Sequence, residues 1–291
     1  MSASMVEQLL RAGASRLDDA GVERPRVEAE WLLADALQTT PLTMQLDHLP
    51  VAPEAAARYL DWIAERARGV PLQYVTGQAA FFGMMFDVQP GVFIPRPETE
   101  ALVERIVQYL KPTHPDSAQP NRMRQVVDAG TGSGCIAAAL AVALPACLVI
   151  GIEVSWFALL IAQRNLNRHG LLDRVRLVQG RWLEPIIGRV DVIVSNPPYV
   201  PTEQVDRLPL NVRQEPRVSL DGGIDGLRDV DRLLALAPDR LSAGGLLAME
   251  CGEEQAMPLC HRVAGLPWVA TVQPWHDLAG RPRGLLVKRA E

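Results

Sequence analysis

The sequence predicts an α/β protein: a doubly wound, mostly parallel seven-stranded sheet, preceded by a small helical bundle and a linking β-hairpin. Three observations predict it. From residue 125 onward, short β-branched runs alternate with helical segments, the rhythm of strand–helix–strand units. The first of those runs ends in a glycine-rich turn, "DAGTGSG", directly before a helix. Residues 1–70, by contrast, carry helical periodicity throughout.

In order along the chain, "VEQLLRAGASRLDDAG" places Val6, Leu9, Leu10, Gly13 and Leu17 along one helical face and stops at Gly21. "RPRVEAEWLLADALQ" opens on Pro25, with Val27, Trp31, Ala34 and Leu37 at intervals of three to four. "PEAAARYLDWIAERARG" opens on Pro53 and closes on Gly69. Three such helices make a small bundle. The turn signals Gly83 and Pro90-Gly91 divide "AAFFGMMFDVQPGVFIP" into a hairpin. A helix, "RPETEALVERIVQYL", follows with carboxylates in its first turn, and "KPTHPDSAQPNRMR" is a polar, proline-bearing connection. Strands are then expected at "QVVDAG", "CLVIGIE", "VRLVQG", "VDVIVSN", "GGLLAME", "WVATVQPW" and "RGLLVKR". Only a loop separates the last two, which should therefore pair antiparallel. The expected divisions are a helical domain over 1–78, the hairpin over 79–95, and the sheet domain over 96–291.

Composition narrows the functional classes. A net charge of −5 disfavours a chain whose main task is gripping nucleic-acid phosphates, and residues 1–80 carry 11 acidic side chains against 7 arginines. No apolar run reaches the ~18 residues of a membrane span. The N-terminus has no cleavable apolar core, so no signal peptide is expected. Cys135, Cys147, Cys251 and Cys260 have no CxxC spacing and no histidine partners at zinc-site intervals. A reducing cytoplasm and the absence of a metal are the natural expectations.

Ligands of doubly wound sheets bind beyond the carboxyl ends of the strands. In "DAGTGSG" the glycines at 130, 132 and 134 permit backbone angles closed to other residues and let a ligand approach the main chain. The third glycine comes one residue early for a dinucleotide fingerprint, which favours a nucleoside ligand without a pyrophosphate. The second strand ends in Glu153, whose carboxylate can accept both hydroxyl hydrogens of a ribose. Trp182, after the third strand, offers a flat ring to border a base. The fourth strand ends in "SNPPY", where Pro197 and Pro198 must stop the ladder.

"DAGTGSG", an acid ending the second strand, and "NPPY" after the fourth resemble the class I S-adenosylmethionine-dependent methyltransferases. "FIPRPETE", "QEPRVSLDGGIDGL" and "DLAGRPRGLLVKR" are similar to the HemK/PrmC family, over nearly the whole chain. That resemblance implies a Rossmann-like catalytic domain and a glutamine N5-methyltransferase acting on the GGQ motif of peptide chain release factors, with the N-terminal domain contacting the protein substrate. It implies that Gly130, Thr131, Gly132, Ser133 and Gly134 cradle the methionine part of S-adenosyl-L-methionine. Glu153 would hold the ribose, Trp182 would lie against the adenine, and Asn196 would adjoin the cofactor. Asn196, Pro197, Pro198 and Tyr199 would receive the substrate glutamine. One departure stands out: many members have Asp where this chain has Arg181, and arginine cannot accept a hydrogen bond.

A carboxamide nitrogen is a poor nucleophile, because its lone pair is delocalised into the carbonyl. Acceptors on both its hydrogens would orient it and strengthen as positive charge develops. The Asn196 side chain and the Pro197 carbonyl are the expected acceptors, and Tyr199 the expected stacking partner for the amide plane. The loop from 200 to 226 is too long for a plain connector and reads as a lid. The rival readings are a DNA adenine N6-methyltransferase, a glutamine methyltransferase of a ribosomal protein, and a binding module with a decayed site.

Overall fold

The computed structural model describes residues 4–46, 50–110 and 123–291; the connection expected at 111–124 lies almost wholly outside them. The chain forms two compact units, one of residues 1–78 with 209–214, the other of 79–208 with 215–291.

The first unit contains α1 (Met5–Asp19), α2 (Pro25–Ala36), α3 (Pro41–Leu46), α4 (Pro53–Ala67) and α5 (Leu72–Thr76). Ser4 caps α1 by accepting the Glu7 amide hydrogen, and Pro25 and Pro53 open α2 and α4, where a missing N–H is harmless. Leu9, Leu10, Gly13 and Leu17 face the core, as their spacing predicts. In α2 the expected face is wrong. Ala29, Leu32, Leu33 and Ala36 are buried with Ala34, whereas Val27 and Trp31 are 45% and 55% exposed. This short helix carries two overlapping apolar stripes, and the one with adjacent leucines packs better against α1 and α4. Glu28, on the same helix, pairs with the buried Arg66 of α4 through two hydrogen bonds.

Gly13 is where α1 meets the ring of Tyr59, which is fully buried and donates its hydroxyl hydrogen to the Leu9 carbonyl. A Cβ at residue 13 would stand 1.9 Å from the Tyr59 hydroxyl oxygen. Gly13→Ala is therefore expected to destabilise this unit by about 1–3 kcal/mol through overpacking, against the usual gain of alanine in a helix. Thermal or denaturant unfolding of the variant checks this, and a rise in stability would mean that the ring has room to move.

A hairpin follows, all but Gln78 in the second unit: β1 (Gln78–Phe81) and β2 (Met84–Asp87), joined through Phe82 and Gly83, both at positive φ as the tight hairpin turn demands. After α6 (Glu98–Leu110) come β3 (Arg124–Ala129), α7 (Cys135–Ala143), β4 (Cys147–Glu153), α8 (Trp156–Arg168), β5 (Val175–Gln179) and β6 (Val190–Ser195). The loop after β6 contains two short helices, α9 (Thr202–Val205) and α10 (Leu210–Arg213), the latter belonging to the first unit. Then follow α11 (Arg228–Arg240), β7 (Leu241–Glu250), α12 (Glu253–Ala264), β8 (Val269–His276) and β9 (Pro282–Arg289).

The seven strands lie in the order β5-β4-β3-β6-β7-β9-β8. All neighbours pair parallel except β9, which runs antiparallel to both β7 and β8. Side chains alternate between the faces, as strand geometry dictates. Val126, Val192, Val194, Leu246 and Ala248 join one core with α6 and α7; Val127, Ile193, Leu247 and Met249 join the other with α11 and α12. Strand order reverses between β3 and β6, so a crevice opens beyond their carboxyl ends. Among the described residues, no helix is long and apolar enough to cross a membrane.

Candidate active site

The turn after β3 is held from three sides. Gly130, Gly132 and Gly134 have φ of 82°, 55° and 82°, a region that side chains with a Cβ rarely adopt. The amides of Gly130 and Thr131 donate to the Ile152 carbonyl. Asp128, fully buried at the strand end, accepts from the Thr131 hydroxyl at 2.6 Å and from the Ala137 amide at 3.1 Å, tying the turn to the start of α7. Burial pushes its carboxyl up to about 7, against those two hydrogen bonds, with Glu153 adding to the rise. In the sequence Asp128 is only the first letter of the glycine-rich motif; its role as a clamp follows from the turn needing acceptors for inward-facing donors.

Glu153 reaches back to the same turn. One carboxylate oxygen accepts from the Gly132 amide at 3.0 Å, the other from the Ser155 amide at 2.9 Å, and Ser155 caps α8. Each oxygen keeps further acceptor capacity. Trp182 holds φ of 51°, a sparsely populated conformation for so bulky a residue. This backbone sets the indole against Gly130, where a Cβ would lie 3.3 Å from the ring. The indole N–H is buried and has no partner among the described residues.

These elements wall a cavity of ≈ 220 Å³. Gly130, Thr131, Gly132, Ser133, Glu153, Trp182, Asn196 and Pro198 line it, so the structure brings together the strand ends that the sequence singled out. Gly134, Pro197 and Tyr199 are not on its wall. Gly134 instead packs against Ala162, and the Tyr199 hydroxyl turns away to donate to Glu250 at 3.3 Å. The wall also includes Phe93, Arg96 and Thr99 from the segment leading into α6, and Val218 and Ser219 from the long loop.

Arg181 shares the wall with Asp229, a buried carboxylate of α11, at 3.8 Å. Asp229 also accepts two hydrogen bonds from Arg228. An acceptor therefore stands beside Arg181. The loop from 200 to 226 is internally braced. Asp221 accepts from the Thr202 hydroxyl and the Gly223 amide, and Arg217 joins Asp206 to Asp221. Among the described residues, no group of His, Cys, Asp and Glu is arranged to hold a metal ion.

A reversed strand order, a glycine turn facing an acid on the next strand, and an Asn-Pro-Pro-Tyr segment that gives Asn196 and Pro198 to the same cavity define a methyltransferase of the class I type. The family description "Methyltransferase small domain" matches residues 99–211, and "PrmC N-terminal domain" matches residues 8–77. A release factor glutamine methyltransferase of Moorella thermoacetica is 41% identical over 98% of this chain and 99% of its own length; one of Geobacter sulfurreducens is 43% identical over 82% and 81%. The chain belongs to the release factor glutamine methyltransferase family. Among solved structures, a methyltransferase from Pyrococcus furiosus aligns over 81% of this chain and 98% of its own, with a TM-score of 0.51 and 21% identity, a likeness of fold.

Proposed function

We propose that this enzyme transfers a methyl group from S-adenosyl-L-methionine to the side-chain amide nitrogen of the glutamine in the GGQ motif of peptide chain release factors. The observation that carries the reading is Asn196: the cavity wall presents a fixed carboxamide at the end of β6, opposite a glycine turn. The residues present fit the cofactor. The turn has no side chain to fill the space beside Trp182, and Glu153 offers spare acceptor capacity for a diol. Gly130 to Gly134, Glu153 and Trp182 would hold the cofactor. The Asp229 carboxylate stands in for the acceptor that Arg181 cannot supply. When bound, the cofactor supplies an electrophilic methyl group on a sulfonium sulfur.

The protein's own part is orientation. The Asn196 side-chain oxygen and the Pro197 carbonyl accept the two hydrogens of the substrate amide and leave its lone-pair face toward the methyl group. Proline rigidity fixes the direction of the second acceptor. Both hydrogen bonds tighten as the nitrogen becomes positive, so they lower the barrier more than they strengthen ground-state binding. The proton then leaves readily, without a dedicated base. Tyr199 anchors its hydroxyl on Glu250.

The substrate is a protein, in keeping with a net charge of −5. The enzyme then works in the cytoplasm beside the release factors. Mass analysis of a GGQ-containing release factor after incubation with S-adenosyl-L-methionine tests the reading, with DNA as the parallel substrate. One added methyl on the glutamine is expected; methylated DNA and unchanged protein would overturn it. Glu153→Ala removes both the ribose acceptor and the tie to Gly132, so cofactor affinity by calorimetry should fall roughly 10- to 100-fold, the range for charge-assisted hydrogen bonds.

A further inference from the structure

Ser195 pairs with Met249 across the β6–β7 ladder, so Asn196 and Glu250 leave the sheet side by side. Thr99, in the first turn of α6, sits between them. Its hydroxyl donates to Glu250 Oε2 at 2.7 Å, and its oxygen accepts from Asn196 Nδ2 at 3.1 Å. Tyr199 donates to the other oxygen of Glu250. Thr99 and Glu250 are both buried, at 2% and 3% exposure.

The direction of this chain is dictated by chemistry. An ionised carboxylate can only accept, so the single hydroxyl hydrogen of Thr99 goes to Glu250. The Thr99 oxygen can then only accept from Asn196, which must turn its NH₂ toward Thr99. The carboxamide oxygen is left for the cavity. Were Glu250 protonated, it could donate to Thr99, and Thr99 could donate to the Asn196 oxygen. The carboxamide would then present its NH₂ to the substrate, donor against donor.

We infer that Thr99 and Glu250 are positioning residues, a one-way hydrogen-bond relay that fixes the Asn196 carboxamide with its oxygen facing the substrate amide. The inference rests on the proposed methyl transfer to glutamine. It adds a proton-sensitive element. Burial raises the Glu250 carboxyl to about 7; Thr99, Tyr199 and Arg283 of β9 favour the ionised form, and Glu98 of α6 opposes it. Turnover requires the ionised form, so it should fall as pH drops through neutrality.

The test measures kcat and KM for methylation of a GGQ-containing release factor on both sides of neutral pH, with calorimetry of S-adenosyl-L-methionine binding as the control for folding. Thr99→Val should lower kcat roughly 100-fold, the scale for misplacing a catalytic group by ~1 Å, with cofactor affinity retained. Thr99→Ser should restore most of it. Glu250→Gln can still accept from Thr99 but cannot titrate, so its kcat should lose the acid limb. Wild-type turnover in Thr99→Val, no recovery in Thr99→Ser, or an acid limb of kcat in Glu250→Gln equal to that of the wild type at saturating S-adenosyl-L-methionine would each overturn the relay. A wild-type enzyme that leaves the glutamine unmethylated would overturn the substrate instead. The relay is then read without turnover, from the Asn196 side-chain amide resonance in a ¹⁵N spectrum. That resonance should move with pH near neutrality and shift in Thr99→Val; a resonance indifferent to both would overturn the inference.

Discussion

Asn196→Ala is expected to lower turnover by roughly 10²- to 10³-fold, the loss seen when one preorganised partner of a developing charge is removed. On the proposed mechanism, alanine deletes the acceptor that fixes one substrate hydrogen and leaves the Pro197 carbonyl to orient the amide alone. A planar nitrogen held at a single point can rotate its lone-pair face away from the methyl group. The missing hydrogen bond strengthens only in the transition state, so kcat should fall far more than KM rises. Asn196 is only one of many contacts around the cavity, and cofactor affinity should stay close to that of the wild type. Steady-state kinetics on the release factor, with calorimetry alongside, check both halves. Turnover at the wild-type rate would remove the role assigned to Asn196.

The second large effect is structural. Glu215, 5% exposed, accepts from the Ile94 amide at 3.0 Å and pairs with the Arg96 guanidinium, which stacks over the Phe93 ring at 4.7 Å. One carboxylate thus pins the middle of the long loop to a segment that lines the cavity. Glu215→Ala leaves a buried amide and a partly buried guanidinium without their anion. Breaking such a pair usually costs about 3–5 kcal/mol, and the 28% exposure of Arg96 lets water recover part, so about 2–3 kcal/mol is expected. Glu215→Gln keeps one acceptor and should lose less. Urea unfolding of both variants measures the difference; equal stability of Glu215→Ala and the wild type would show that the pair contributes nothing net.

The parallel core strands were legible because fully buried strands are continuous β-branched runs, as "VDVIVS" is. The antiparallel pairing of β8 and β9 followed from the short loop between them. The insertion of β9 between β7 and β8 did not, since nothing local in "RGLLVKR" states which neighbours it takes. The short helices α3 and α5 were missed for want of a full amphipathic period. The glycine turn, Glu153, Trp182 and Asn196 could be read because each ends or closely follows a strand at the same edge of the sheet. Thr99 and Glu250 could not: each is an ordinary polar residue at a helix start or a strand end, and only the ladder and α6 bring them to Asn196. Nor could the partner of the Tyr199 hydroxyl, a buried acid on another strand, be read from its place beside two prolines.

The placement of β9 bears on how the molecule assembles. Both of its neighbours precede it in the chain, so the sheet cannot be built strand by strand in sequence order. Until β9 slots in, β7 presents an open edge of unsatisfied amides and carbonyls, an invitation to a strand from another copy. Pairing of such sequence-distant segments is slow, and an exposed edge during a slow step promotes association. Refolding yield should therefore fall with protein concentration, and a chain severed before Pro282 should aggregate rather than form a smaller soluble sheet.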